Sequence, residues 1–231
     1  MQQIPLTIKL PQQRRFDNFF CDDTGALAVD SLKRLVARRG AQVIGLQGPS
    51  GSGKSHLLEA VGHEAAAERC VYIPLSSCIN WAPDAVLADL HLQPLVCVDD
   101  LQCLFTSPEW QQQFFHFYNR LIDGGGRLVF ACQPQLASVS GILPDLLSRL
   151  KMALNFPLTP LMGESLEAAF LRRADDFGIQ LSDDVLRYLL NHSDRNMGAL
   201  MQWLSRLDRL SLAERRKPSV QLLKRLIEEQ Q

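Results

Sequence analysis

Apolar residues along this chain follow two rhythms, and the rhythm changes after Pro157. Before that point, short unbroken apolar runs occur at residues 43–46, 71–74, 95–98, 128–132 and 153–156. Runs this short, lacking polar alternation, suit strands buried on both faces. Between them lie helical or loop segments. Asp23 or Thr24 is expected to cap a helix through Leu27, Leu32 and Leu35 that Gly40 ends. A second helical pattern covers 56–67, and a long amphipathic one covers 109–121. Strands alternating with helices predict an α/β fold, a parallel sheet covered on both sides. From Gly163 onward only helical periodicity remains, at 166–177, 185–192, 197–212 and 220–227, with Gly178 and Pro218 as punctuation. This predicts a second, all-helical subdomain of about 70 residues.

Composition narrows the class without naming it. Hydrophobic residues make up 46% and charged residues 21%, with a formal net charge of −1, the balance of a soluble globular protein. A protein tracking nucleic acid with its whole surface would be plainly basic, so any such contact must be local. The six cysteines form no CxxC pair, and Cys97 and Cys132 fall inside apolar runs, which predicts buried reduced thiols. His63-Glu64 begins like a zinc-protease motif, but Ala67 stands where its second histidine belongs. The N-terminus is too polar for a signal peptide, and no uncharged apolar stretch would span a bilayer. A cytoplasmic protein is expected.

The chemistry concentrates where the first buried run ends. Gly48-Pro49-Ser50-Gly51-Ser52-Gly53-Lys54-Ser55 fits G-x-x-x-x-G-K-[ST] between a strand pattern and a helix pattern. Glycines let backbone N–H groups turn toward phosphate oxygens, and the following helix adds its positive end. Lys54 would neutralise the β- and γ-phosphates, and the Ser55 hydroxyl would reach Mg²⁺. The expected ligand is therefore ATP or ADP with Mg²⁺. A second apolar run, Leu95-Val96-Cys97-Val98, ends in Asp99-Asp100. Asp99 is the expected partner of the metal shell, and Asp100 is a candidate for orienting a water at the γ-phosphate.

With these residues in place the chain resembles the DnaA group of AAA+ ATPases from about Phe16 to its end. The resemblance rests on GPSGSGKSHLLEA, VCVDDLQ, the strand RLVFAC followed by Gln133, LPDLLSRL and the helical C-terminal part. It implies a sheet of order 5-1-4-3-2 and a helical lid over the nucleotide. It also implies three parts: 1–15 as an extended peptide, 16–160 as the nucleotide-binding α/β subdomain and 161–231 as the lid. Gln133 takes the sensor-one position, where the family usually carries Asp or Asn. Arg149 matches the arginine finger, which reaches across a subunit boundary to a neighbour's γ-phosphate. Two departures stand out: Gly198 occupies the lid position of the sensor-two arginine, with Arg195 as a possible substitute, and Asp145 replaces the first arginine of the finger motif.

Within the group, the features favour regulators of the Hda type, inactivators of DnaA. The chain reaches only Gln231, which implies no helix-turn-helix, and the N-terminal interaction domain of an initiator is not expected either. No Lys or Arg lies between Arg69 and Arg120, where an initiator carries a basic single-strand-binding helix. Gln3, Leu6 and Ile8, around Pro5, form an extended apolar peptide resembling the sliding-clamp-binding hexapeptide of those regulators. The resemblance thus implies a negative regulator of replication initiation that docks on the DNA-loaded clamp. There it would supply Arg149 to promote hydrolysis of DnaA-bound ATP, with a weak ATPase of its own at most. The main alternative is a stand-alone AAA+ ATPase such as a helicase loader. A small-molecule kinase lacks an acceptor cluster in the sequence. A DNA-binding module would rest on Arg14-Arg15, Arg34 with Arg38-Arg39, Arg172-Arg173 and Arg215-Arg216-Lys217, which read as solvated helix faces beside acids such as Asp175-Asp176. Phe114, Phe115, Phe117 and Tyr118 follow helical spacing and are expected in the core rather than as a base-stacking platform.

Overall fold

The computed structural model describes residues 14–65, 69–133, 135–214 and 217–228; Gln3, Leu6 and Ile8 lie outside them. Each apolar run becomes a strand: β1 (Val43–Gln47), β2 (Cys70–Pro74), β3 (Leu95–Asp99), β4 (Arg127–Cys132) and β5 (Leu154–Pro157), with β1, β3 and β4 buried throughout and the edge strands β2 and β5 partly exposed. All pairings are parallel, in the order β2-β3-β4-β1-β5, which is the expected 5-1-4-3-2 order read from the opposite edge. The register of β1 on β4 runs from Val43 beside Leu128 to Gln47 beside Cys132.

Helices α1 (Asp23–Val36), α2 (Lys54–Glu64), α3 (Leu75–Cys78), α4 (Pro83–Leu87), α5 (Pro108–Asp123) and α6 (Pro144–Met152) accompany this sheet. Side chains alternate across it because successive strand residues point to opposite faces. Leu128 and Phe130 of β4 join Val96, Val98, Phe114, Phe117 and Leu121 in one core. Val129 and Ala131 join Leu32, Leu35, Leu57, Leu58 and Val61 in the other. Phe114, Phe117 and Tyr118 are buried and Phe115 is partly buried against the first core, as the helical spacing predicts. Cys97 and Cys132 are fully buried.

The boundaries of two helices differ from the sequence expectation. Asp22, not Asp23 or Thr24, caps α1: its extended backbone lets Oδ1 accept from the Gly25 N–H at 2.8 Å. The helix stops at Val36, well before Gly40, because Arg38 adopts a left-handed turn with φ 56°. Its last carbonyls are then held by a buried side chain from β4. Arg127 donates to Leu35 O at 2.7 Å, Val36 O at 2.8 Å and Pro94 O at 3.2 Å. Likewise, α2 stops at Glu64 rather than Ala67.

Beyond β5 the chain forms α7 (Gly163–Asp176), α8 (Asp183–His192), α9 (Met197–Glu214) and α10 (Val220–Glu228). These four helices share a separate core of Leu166, Phe170, Ile179, Leu189, Leu200, Leu204, Leu207 and Leu223, among others. Thr159, in the connection to them, donates to Asp22 Oδ2 at 2.9 Å and so ties the lid's root to the cap of α1. No helix among the described residues is long and apolar enough to cross a membrane.

Candidate nucleotide-binding site

The phosphate loop lies between β1 and α2, at the C-terminal end of the sheet, where parallel α/β folds bind ligands. Its conformation needs glycine. Gly53 precedes α2 with φ 87°, and a Cβ there would meet the Phe19 ring at 2.5 Å. A Cβ on Gly48 would collide with the Leu158 carbonyl oxygen. The loop and α2 line one wall of a cleft of about 1450 Å³. Ser50 to His56, Asn18, Phe19, Asp100 and Gln133 line it from the α/β body, and Arg173, Met197 and Gly198 from the lid.

Lys54 is 7% exposed, and its ammonium donates to Gly48 O and Pro49 O at 2.8 Å each, with Ser52 Oγ at 3.5 Å. Burial lowers the amine's pKa, and the nearby Asp99 carboxylate opposes that shift. The loop's own carbonyls thus hold the cation in place. Ser55 is partly buried in the first turn of α2.

Asp99, at the end of β3, is buried, and both its oxygens accept hydrogen bonds. Tyr72 O–H reaches Oδ2 at 2.9 Å and the Asp100 N–H reaches Oδ1 at 2.9 Å. Burial first, and then the Asp99 charge, push the Tyr72 phenol's pKa well up, so it remains a donor at neutral pH. Asp100 sits in the left-handed region at φ 55°. Its oxygens accept from Ser76 Oγ at 2.7 Å and Gln102 Nε2 at 3.1 Å, while Gln102 Oε1 accepts the Gln133 N–H at 3.1 Å. One chain of hydrogen bonds therefore joins the end of β3 to the tip of β4. Tyr72, Ser76 and Gln102 carry no motif in the sequence. Only the parallel pairing of β2 beside β3 brings the first two to the carboxylates.

A different set of groups gathers around His56, two residues beyond Lys54 in the same first turn of α2. His56 Nε2 donates to Arg15 O at 2.9 Å, and its ring tilts against Phe19 at 5.2 Å. Burial lowers its pKa to about 4; the Arg15 carbonyl opposes this, and Arg173 and Arg14 add to the lowering. Arg14 in turn pairs with Glu59 at 2.7 Å.

The remaining expectations divide. Arg149 is exposed on α6, has no ion pair or hydrogen bond among the described residues, and does not line this cleft. Gly198 does line it, which puts a bare glycine where an arginine was looked for. Arg195 is no substitute in this arrangement: its Nε donates to Leu190 O at 3.2 Å and it lies off the cleft wall. Arg173 overturns the solvated-face reading. It is 8% exposed and lines the cleft, because α7 turns it to the same side as Leu166, Ala169 and Phe170. The signal was available, since position 173 falls on the apolar stripe of its helix. Trp110 is a packing residue, with Nε1 donating to Ile79 O at 2.9 Å, whereas Trp81 is 64% exposed.

The family model for the bacterial DnaA ATPase domain matches residues 10–157, and a model described as the Hda lid domain matches 164–227. An uncharacterized protein of Haemophilus influenzae is 31% identical over 229 residues, which span 98% of both chains. Domain III of the Thermotoga maritima replication initiation protein DnaA superposes with a TM-score of 0.80 at 20% identity, covering 95% of this chain and 97% of that one. AMPPCP-bound DnaA from Aquifex aeolicus follows at 0.72 and 20%, covering 96% of this chain and 71% of that one. Sheet order, phosphate loop, lid and both family matches agree: the chain belongs to the DnaA/Hda-type AAA+ proteins.

Proposed function

We propose that this chain is an Hda-type regulator that carries an adenine nucleotide, docks on the DNA-loaded sliding clamp and promotes hydrolysis of DnaA-bound ATP. The observation that carries the reading is the contrast between its own cleft and Arg149. That arginine stands exposed on α6, away from the cleft and without a partner among the described residues, as a residue serving another subunit's site would. An arginine finger of this kind stabilises charge on the transferring phosphoryl group and is worth roughly 10³- to 10⁵-fold in rate.

The nucleotide part of the reading rests on the donor set. The left-handed glycines Gly48, Gly51 and Gly53, the start of α2 and the buried Lys54 ammonium suit a polyphosphate. Ser55 and Asp99 would hold Mg²⁺, which supplies charge neutralisation between the β- and γ-phosphates. Asp100 has both oxygens engaged by Ser76 and Gln102, which favours slow turnover of the chain's own nucleotide. Clamp docking is assigned to Gln3, Leu6 and Ile8 on their sequence pattern alone.

The test loads DnaA from the same organism with radiolabelled ATP and follows ADP formation on DNA-loaded clamp. Wild-type chain is expected to accelerate hydrolysis, and Arg149→Ala to abolish that acceleration. If wild type leaves the DnaA-bound ATP intact, the regulator reading falls. A partner-independent turnover lost in Asp99→Asn would then favour a stand-alone AAA+ ATPase.

A further inference from the structure

We infer that Arg173, in the first lid helix, is the lid's direct ligand for the bound nucleotide, gripping an acceptor at its nucleoside end and leaving the γ-phosphate unread. This rests on the nucleotide-binding reading above and adds to it the identity of the lid contact.

Three observations carry the inference. First, Arg173 is a buried cation left incomplete. It is 8% exposed, and its Nη1 is buried with no hydrogen-bond partner among the described residues. Its ion pair with Asp176 spans 3.7 Å, beyond hydrogen-bond length, and Phe177 offers only a ring face at 5.7 Å. Nη1 faces Asp176; a guanidinium has donors and no acceptors, so a group bound on the side of Arg173 that lines the cleft must be an acceptor. Arg127 shows what a structural arginine looks like in this protein, with three carbonyls within 3.2 Å.

Second, Arg173 faces the nucleotide cleft and is the buried cation that the lid contributes there. Arg206 and Arg209 also line the cleft but are exposed, with Arg206 over the Trp203 ring at 5.5 Å and Arg209 on Ser205 Oγ at 3.4 Å. Gly198 offers no side chain, and Arg195 is bound to Leu190 O.

Third, the lining sorts the cleft into two ends. Lys54 turns back to Gly48 O and Pro49 O, whereas Phe19 and His56, their rings 5.2 Å apart, line the cleft together with Arg173 and Arg14. Phosphates running along the loop place the terminal ones at the Lys54 ammonium and the first one at the backbone just after Ser55, in the first turn of α2. Arg173 therefore stands with His56 and Phe19 beside the α-phosphate, ribose and base. A contact there is common to ADP and ATP.

The experiment is calorimetric titration of the full chain with ADP and with ATP, for wild type, Arg173→Ala, Arg173→Met, Arg173→Lys and Lys54→Ala. Thermal melting without nucleotide accompanies each protein. Arg173→Ala and Arg173→Met are expected to weaken ADP and ATP by the same factor, roughly 10- to 100-fold for a charge-assisted hydrogen bond. Arg173→Lys recovers part of the loss, and the nucleotide-free melting temperature barely moves. Binding by Arg173→Ala within about twofold of wild type overturns the inference, as does a loss confined to ATP. A lowered melting temperature with unchanged affinity also overturns it, by making the arginine structural. If wild type and Lys54→Ala both fail to bind, the nucleotide reading falls and the inference with it.

Discussion

Two buried arginines summarise the difference between the α/β body and the lid. Arg127, in the body, donates to carbonyls at the end of α1 and beside β3, finishing the backbone hydrogen bonding of its surroundings. Arg173, in the lid, is buried as deeply but keeps an Nη1 without a hydrogen-bond partner among the described residues. The same contrast runs through the site. Lys54, Asp99, Asp100 and Gln133 are all held by neighbours within the body, whereas the lid presents an incomplete cation and a bare glycine. The body's site groups are organised by the body itself; on the inference above, a ligand would complete the lid's inner face. Preorganised groups lose less entropy on binding, so the body's groups are expected to bind without rearrangement.

The strongest way to break this comparison is to empty the lid's core. Phe170 is fully buried among leucines of α8, α9 and α10, so Phe170→Ala is expected to cost about 3–5 kcal/mol. If the lid is a separate unit, hydrogen exchange will quicken in α7 to α10 while β1, β3 and β4 keep their protection. Uniform quickening across both regions would mean that one cooperative unit spans them.

A smaller effect tests the junction at His56. Its folded pKa, about 4, lies below the ordinary histidine value, so the unfolded chain binds the proton more readily. The stabilisation is complete above the unfolded pKa and is lost as pH falls toward the folded one. Between pH 7 and 4.5, this group is expected to withdraw about 2 kcal/mol from wild type and nothing from His56→Asn. Denaturant titrations of the two proteins at both pH values give the difference directly. Equal pH dependence would mean that His56 is solvated and the junction open.

The smallest effect sharpens the claim about the body. Tyr72→Phe removes the phenol that donates to Asp99 and is expected to cost about 1 kcal/mol in urea unfolding, the ordinary worth of such a bond. A cost near zero would show that Asp99 is held by the Asp100 N–H alone.

Much of this was legible along the chain. Five apolar runs gave five strands within a residue or so at each end; β1, β3 and β4 are buried throughout, as a strand covered on both faces must be, whereas the edge strands β2 and β5 are partly exposed. The lid's helices were legible for the parallel reason, a 3.6-residue apolar stripe. The helix starts and stops were less so. Asp22, Asp23 and Thr24 all suit a cap, and only the extended backbone at Asp22 chose among them. Arg173 was misread because an arginine beside Arg172 and two aspartates looks solvated, although its place on the stripe with Leu166 and Phe170 pointed inward.

What the sequence determined by itself is the phosphate loop, the carboxylates that end β3 and the alternation that builds the sheet. Each is a local pattern: its residues are neighbours in the chain, and backbone geometry alone brings them into place. The partners of those residues were decided only by the tertiary structure. Tyr72 and Ser76 reach Asp99 and Asp100 because β2 lies parallel to β3, across 27 and 24 residues of chain. Arg173 reaches the cleft because a separate helical core holds α7, and both α7 and the start of α2 line that cleft. Contacts made between elements depend on how layers pack, and packing is settled by the summed burial of many side chains rather than by any one motif.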